Sequence, residues 1–152
     1  MDRVDPAGTS RPPLRRRVTV RIETPRGNFV KRDWVGGRLR VAFVSPVPCP
    51  FDYGTVEGEP AQDGLGRDAV WLGAKKKALD SAEGVVAAVV RFRDDGDVDD
   101  KWVVTATGEL SPRDTKRLAR FFRFYAAVKR MRGTAARFEG LVVASAAEAP
   151  PR

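Results

Sequence analysis

The sequence contains no histidine and only one cysteine, Cys49, in 152 residues. Without imidazole there is no Ser-His-Asp or Cys-His catalysis and no His-ligated zinc. A single thiol excludes an intrachain disulfide and a cysteine-rich zinc site, and it suits a reducing compartment. Long apolar runs are also lacking: none approaches the ~20 residues that span a bilayer, and the N-terminus has no signal-type apolar stretch. The expectation is a cytoplasmic protein with no membrane segment. Chemistry is left to carboxylates, lysines, arginines, tyrosines and hydroxyls, for which an oxygen-preferring cation such as Mg²⁺ is the natural helper.

The length suits one domain, and a 42% hydrophobic fraction suffices for one modest core. Residues 1–17 hold five arginines among prolines and little that is apolar, the composition of a disordered basic arm. Residues 145–152 form an Ala/Pro tail expected to be flexible. Between them lies a single domain, 18–144.

Val18, Val20 and Ile22 alternate with polar residues, as do Leu39, Val41 and Phe43, giving two half-buried strands. The runs 69–72, 85–92 and 102–105 are rich in β-branched and aromatic residues and read as core strands. Ser111 predicts an N-cap, Pro112 a first helical residue and Gly133 a stop. Between them Leu118, Phe121, Phe122, Tyr125 and Val128 form one buried stripe. Strands followed by one long amphipathic helix predict an α+β, mainly β fold: a small β-barrel flanked by a helix.

A net charge of +8 calls for an anionic partner, yet the charge is uneven. Residues 112–132 carry eight basic side chains against Asp114 alone, whereas 57–68 and 92–101 are net acidic. Taken singly, each acidic segment reads as a solvated turn. Taken together, Asp63 with Asp68 and Asp94 with Asp99 repeat a five-residue spacing beside predicted strands. If both loops meet at one rim, four carboxylates converge, and their repulsion calls for bound cations.

Five segments then resemble, in order, the soluble family I inorganic pyrophosphatases, from about Val18 to Gly140. Ile22-Glu23-Thr24-Pro25 with Lys31-Arg32-Asp33 is similar to that family's opening strands, Asp33 standing for a glutamate. Pro50-Phe51-Asp52-Tyr53-Gly54 resembles its tyrosine segment, and Asp63-Gly64-Leu65-Gly66-Arg67-Asp68 resembles its aspartate signature without the middle aspartate. Asp94, Asp99 and Lys101 keep the family spacing, and Arg120-Phe121-Phe122-Arg123-Phe124-Tyr125 resembles its helix. Ala126 stands for a lysine, Cys49 for a tyrosine, and Val41 for a strand arginine, with Arg40 adjacent.

The resemblance implies a five-stranded OB-like barrel and Mg²⁺-dependent hydrolysis of pyrophosphate or a related phosphoanhydride. It implies metal ligation by Asp63, Asp68, Asp94 and Asp99, with Asp63 and Asp68 in catalysis. Substrate contacts would come from Glu23, Lys31, Tyr53, Lys101 and Tyr125, and the protein would be a homo-oligomer. Leu65 stands where the family has an aspartate that binds metal and accepts the proton of the attacking water. The alternative is a non-catalytic binder of phosphate, nucleotide or nucleic acid, motivated by Arg15-Arg16-Arg17, Lys75-Lys76-Lys77 and the basic helix. No aromatic residues interleave these clusters as a base-stacking platform, so nucleic acid ranks second. Trp34, Trp71 and Trp102 are expected in the core or at an interface, and Cys49 as a small buried hydrophobe.

Overall fold

The period-two segment at the start of the domain forms β1 (Arg17–Thr24). A computed structural model describes residues 13–28, 30–44, 48–60 and 66–144. Asp63, Leu65, residues 1–12 of the expected arm and the tail lie outside the described residues, as do the side chains of Lys31, Asp33 and Trp34. The hydrogen bonding of the sheet starts slightly before the expected boundary, because Arg15 donates its amide to Val86 and Arg16 accepts from it.

After β1 come β2 (Val30–Val35), β3 (Arg38–Val44), β4 (Asp52–Pro60), β5 (Gly66–Trp71), β6 (Ser81–Asp94), the short β7 (Asp97–Val98) and β8 (Lys101–Thr105). The helix α1 (Pro112–Met131) and β9 (Ala136–Val143) follow, the last elements among the described residues. Neighbours run β1-β4-β5-β8-β6, and β6 returns to pair with β1, closing a five-stranded barrel. The fold is therefore the expected mainly-β barrel with one flanking helix. Two details differ from expectation. The segment at Leu39–Phe43 belongs to a separate β2–β3 hairpin, and the fifth barrel strand is β4. β9 follows the helix and extends the sheet along β6.

Two cores fill the molecule. Inside the barrel pack Val20, Ile22, Val56, Ala69, Trp71, Val86, Val89, Trp102 and Val104, drawn from all five strands. Between the outer barrel face and α1 pack Phe51, Tyr53, Val70, Val90, Phe92, Val103, Leu118, Phe122 and Tyr125. Strand β6 serves both. Its register shifts between Val86 and Ala88, so Val86 points inward while Ala88 faces the helix, a change of face that an extra bulged residue produces. Trp71 and Trp102 are buried in the barrel as expected.

The helix begins as its sequence demands. Ser111 Oγ accepts the amide of Asp114 at 3.1 Å, and Pro112 occupies the first turn, where no amide is needed. Its buried residues are Leu118, Phe122, Tyr125, Ala126 and Val128. Phe121 is half-buried and meets Phe51 edge-on at 5.5 Å.

Closure of the barrel brings β1 close to β4 at Gly54, which pairs with Ile22. A Cβ at Gly54 would lie 1.9 Å from the carbonyl oxygen of Arg21. Gly54→Ala is accordingly expected to destabilise by roughly 1–3 kcal/mol through overpacking. A urea midpoint indistinguishable from that of the parent protein would contradict this.

Candidate active site

Strand register assembles the site on the outer barrel face that α1 covers. Ala69 on β5 pairs with Trp102 on β8 in a parallel ladder, which sets Asp68 beside Lys101 at the strand starts. Lys101 is almost completely buried, at 1% side-chain exposure, and its ammonium lies 2.7 Å from both Asp68 Oδ2 and Asp99 Oδ2. A buried ammonium needs such neighbours, because desolvating an unpaired charge is very costly. On β4, Tyr53 pairs with Val70, and its hydroxyl donates to Asp68 Oδ2 at 3.2 Å. Thr55, opposite Asp68 in the same ladder, donates its hydroxyl to the buried Glu23 at 2.5 Å. Glu23, Tyr53, Asp68, Asp99 and Lys101 thus form one connected face.

Tyr125 joins this face through the Phe92 ring, and Asp94 through Lys129. The Phe92 ring centre lies 5.7 Å from the Lys101 ammonium and 5.6 Å from the Tyr125 ring centre. One helical turn after Tyr125, Lys129 holds its ammonium 5.2 Å from the Tyr125 ring centre and 2.5 Å from Asp94 Oδ2. Lys129, Phe92 and Thr55 were not singled out in the sequence. For Lys129 a signal existed: the i, i+4 spacing from Tyr125 puts both on one helix face.

The acidic segment 92–101 divides its labour. Asp95 and Gly96 both have positive φ, 51° and 86°, the geometry of a two-residue primed hairpin turn for which Asp-Gly is well suited. Asp95 Oδ1 accepts from the Ala135 amide at 2.6 Å, and Asp100 Oδ1 from the Phe92 amide at 3.1 Å. These two carboxylates brace the turn, leaving Asp94 and Asp99 to the site. In the tyrosine segment, Asp52 is fully buried and takes two guanidinium bonds from Arg26, at 3.1 and 2.6 Å. It anchors the Pro25-Arg26-Gly27 turn beside Tyr53. Cys49 is half-buried against the helix-side core and donates to the Phe51 carbonyl at 3.2 Å, in keeping with a packing role.

The expected convergence of four carboxylates takes a narrower form. Asp68 and Asp99 meet across Lys101, Asp94 is engaged by Lys129, and Asp63 lies outside the described residues. Among the described residues, no group of three carboxylate or thiol side chains is close enough to hold a metal. The donor chemistry nevertheless fits Mg²⁺: Asp68, Asp94 and Asp99 offer carboxylate oxygen alone. Moreover, Asp94 Oδ1 is buried with no hydrogen-bond partner among the described residues, an acceptor that a cation could satisfy. The bulge in the β2–β3 hairpin falls between Val41 and Phe43, beyond the exposed Arg40.

The closed OB-like barrel with one flanking helix is the fold of solved inorganic pyrophosphatases. The inorganic pyrophosphatase of Thermus thermophilus matches with TM-score 0.73 at 21% identity, covering 91% of this chain and 87% of that one. That of Helicobacter pylori matches with TM-score 0.71 at 20% identity over 82% and 83% of the two chains. An N-terminally truncated vacuolar soluble pyrophosphatase of Trypanosoma cruzi, in complex with PPi, matches with TM-score 0.61 at 18% identity over 91% and 65%. No protein-family model and no curated protein matches the sequence. No helix of the described residues is long and apolar enough to cross a membrane.

Proposed function

We propose that this chain is a Mg²⁺-dependent inorganic diphosphatase that hydrolyses pyrophosphate, or a related phosphoanhydride, to orthophosphate. The observation carrying this reading is the buried Lys101 ammonium shared by Asp68 and Asp99, with the Tyr53 hydroxyl on Asp68. The fold and the resemblance of five ordered motifs support it. Asp68 and Asp99, with Asp63, would hold one ion; Asp94 and Asp99 would hold another. Bound there, Mg²⁺ supplies charge neutralisation and an acidified water.

The protein's own residues do the rest. Lys31 and Lys101 would grip phosphate oxygens as compact charges, and Tyr53 and Tyr125 would donate hydrogen bonds to them. Glu23, fixed by Thr55, holds negative charge two strands away from Asp68, across β4, and so would help retain cations at the site. Such positioning of two anionic partners is itself a large part of phosphoryl transfer. The resemblance extends the proposal to a cytoplasmic homo-oligomer.

The test is orthophosphate release from pyrophosphate. We expect release with Mg²⁺, none with excess EDTA, and only background in Asp99→Ala purified identically. Equal release from Asp99→Ala would assign the activity to a contaminant and end the proposal.

A second reading rests on the helix. Pro112, Arg113, Lys116, Arg117 and Arg120 line a shallow cleft, a cationic surface suited to a polyanion. Under that reading the protein binds short RNA or DNA with an affinity that falls steeply in salt, and it hydrolyses nothing.

A further inference from the structure

We infer that Lys129 is a built-in counter-cation for Asp94, so that a divalent ion binds there only by displacing it. This rests on the reading of Asp94 as a metal ligand. The Lys129 ammonium is 2.5 Å from Asp94 Oδ2, with side-chain exposures of 19% and 23% for lysine and aspartate. The pair is therefore largely withdrawn from water, where charge pairing is less screened than at an open surface. Yet the pairing is incomplete. The other carboxylate oxygen, Asp94 Oδ1, is buried without a hydrogen-bond partner among the described residues. An ammonium satisfies the carboxylate from one side; a hydrated divalent cation brings twice the charge and water donors for the second oxygen.

The displaced ammonium has somewhere to go. It sits on a flexible four-carbon stem, already 5.2 Å from the centre of the Tyr125 ring, whose face attracts a cation. Lys129 then stays at the rim of the site, available to an anionic phosphate, without leaving the helix.

The test is Mn²⁺ titration by calorimetry in the absence of any phosphate. Lys129→Met is expected to bind Mn²⁺ roughly ten- to a hundredfold more tightly than the parent protein, the effect of removing one charge-assisted competitor. Asp94→Asn added to Lys129→Met is expected to abolish the gain. Lys129→Gln keeps a donor for Asp94 without the charge, and gives the same comparison should the methionine variant not fold. Unchanged or weaker Mn²⁺ affinity, a gain that survives Asp94→Asn, or no Mn²⁺ binding by any of these proteins would overturn the inference. Since pyrophosphate is absent, this outcome is independent of whether the protein hydrolyses it.

Discussion

Lys101→Met is expected to lower the thermal midpoint by about 6–12 °C, corresponding to roughly 3 kcal/mol at about 2–4 °C per kcal/mol for a chain of this size. The methionine fills much of the space of the lysine stem but brings no charge. Asp68 and Asp99 would then face each other after losing an ammonium 2.7 Å from each. Removing one partner of a buried pair costs about 3–5 kcal/mol. The lower end applies here, because the two carboxylates retain 23% and 34% exposure and so some access to water. A divalent cation offers a substitute for the lost charge, so millimolar Mg²⁺ is expected to recover more of the midpoint in Lys101→Met than in the parent. Stability and hydrolysis should part company: the folded, Mg²⁺-stabilised variant still lacks a phosphate-binding ammonium. A variant as stable as the parent in EDTA would show that Lys101 contributes no net pairing energy.

Leu65→Asp is expected to raise the rate of orthophosphate release by about 10²–10⁴, the usual contribution of a general base. The substitution restores a carboxylate between Asp63 and Asp68, where the resemblance places the group that accepts the proton of the attacking water. Leucine can neither accept that proton nor ligate a cation, so any activity of the parent protein must proceed without it. The added negative charge should also tighten Mg²⁺ binding, which steady-state measurements at several Mg²⁺ concentrations separate from a change in kcat. An unchanged kcat at saturating Mg²⁺ would mean that further departures, Ala126 foremost, limit the reaction instead.

Much of the barrel was legible because its strands obey simple patterns. β1, β5, β6 and β8 each contain an apolar run or strict alternation, and the helix carries a cap, an initial proline and a continuous stripe. β4 escaped because Gly54, Gly58, two glutamates and Pro60 break its pattern, although barrel closure requires a residue without a side chain at Gly54. β9 escaped because Gly140 and charged residues interrupt its apolar positions; pairing with β6 makes it a strand.

The sequence by itself determined the chemistry this protein can offer. Lacking histidine and nearly lacking cysteine, it offers carboxylates, ammonium groups and phenols, and the resemblance of its ordered motifs points to particular ones. Only the tertiary structure decided how those charges pair. Ammonium and carboxylate find each other through strand register and helix phase, as when the β5–β8 ladder sets Lys101 between Asp68 and Asp99. One turn of α1 likewise delivers Lys129 to Asp94. Those partners are separated by as many as 35 residues in the chain, and Coulomb energy depends on distance through space, which a linear pattern does not contain.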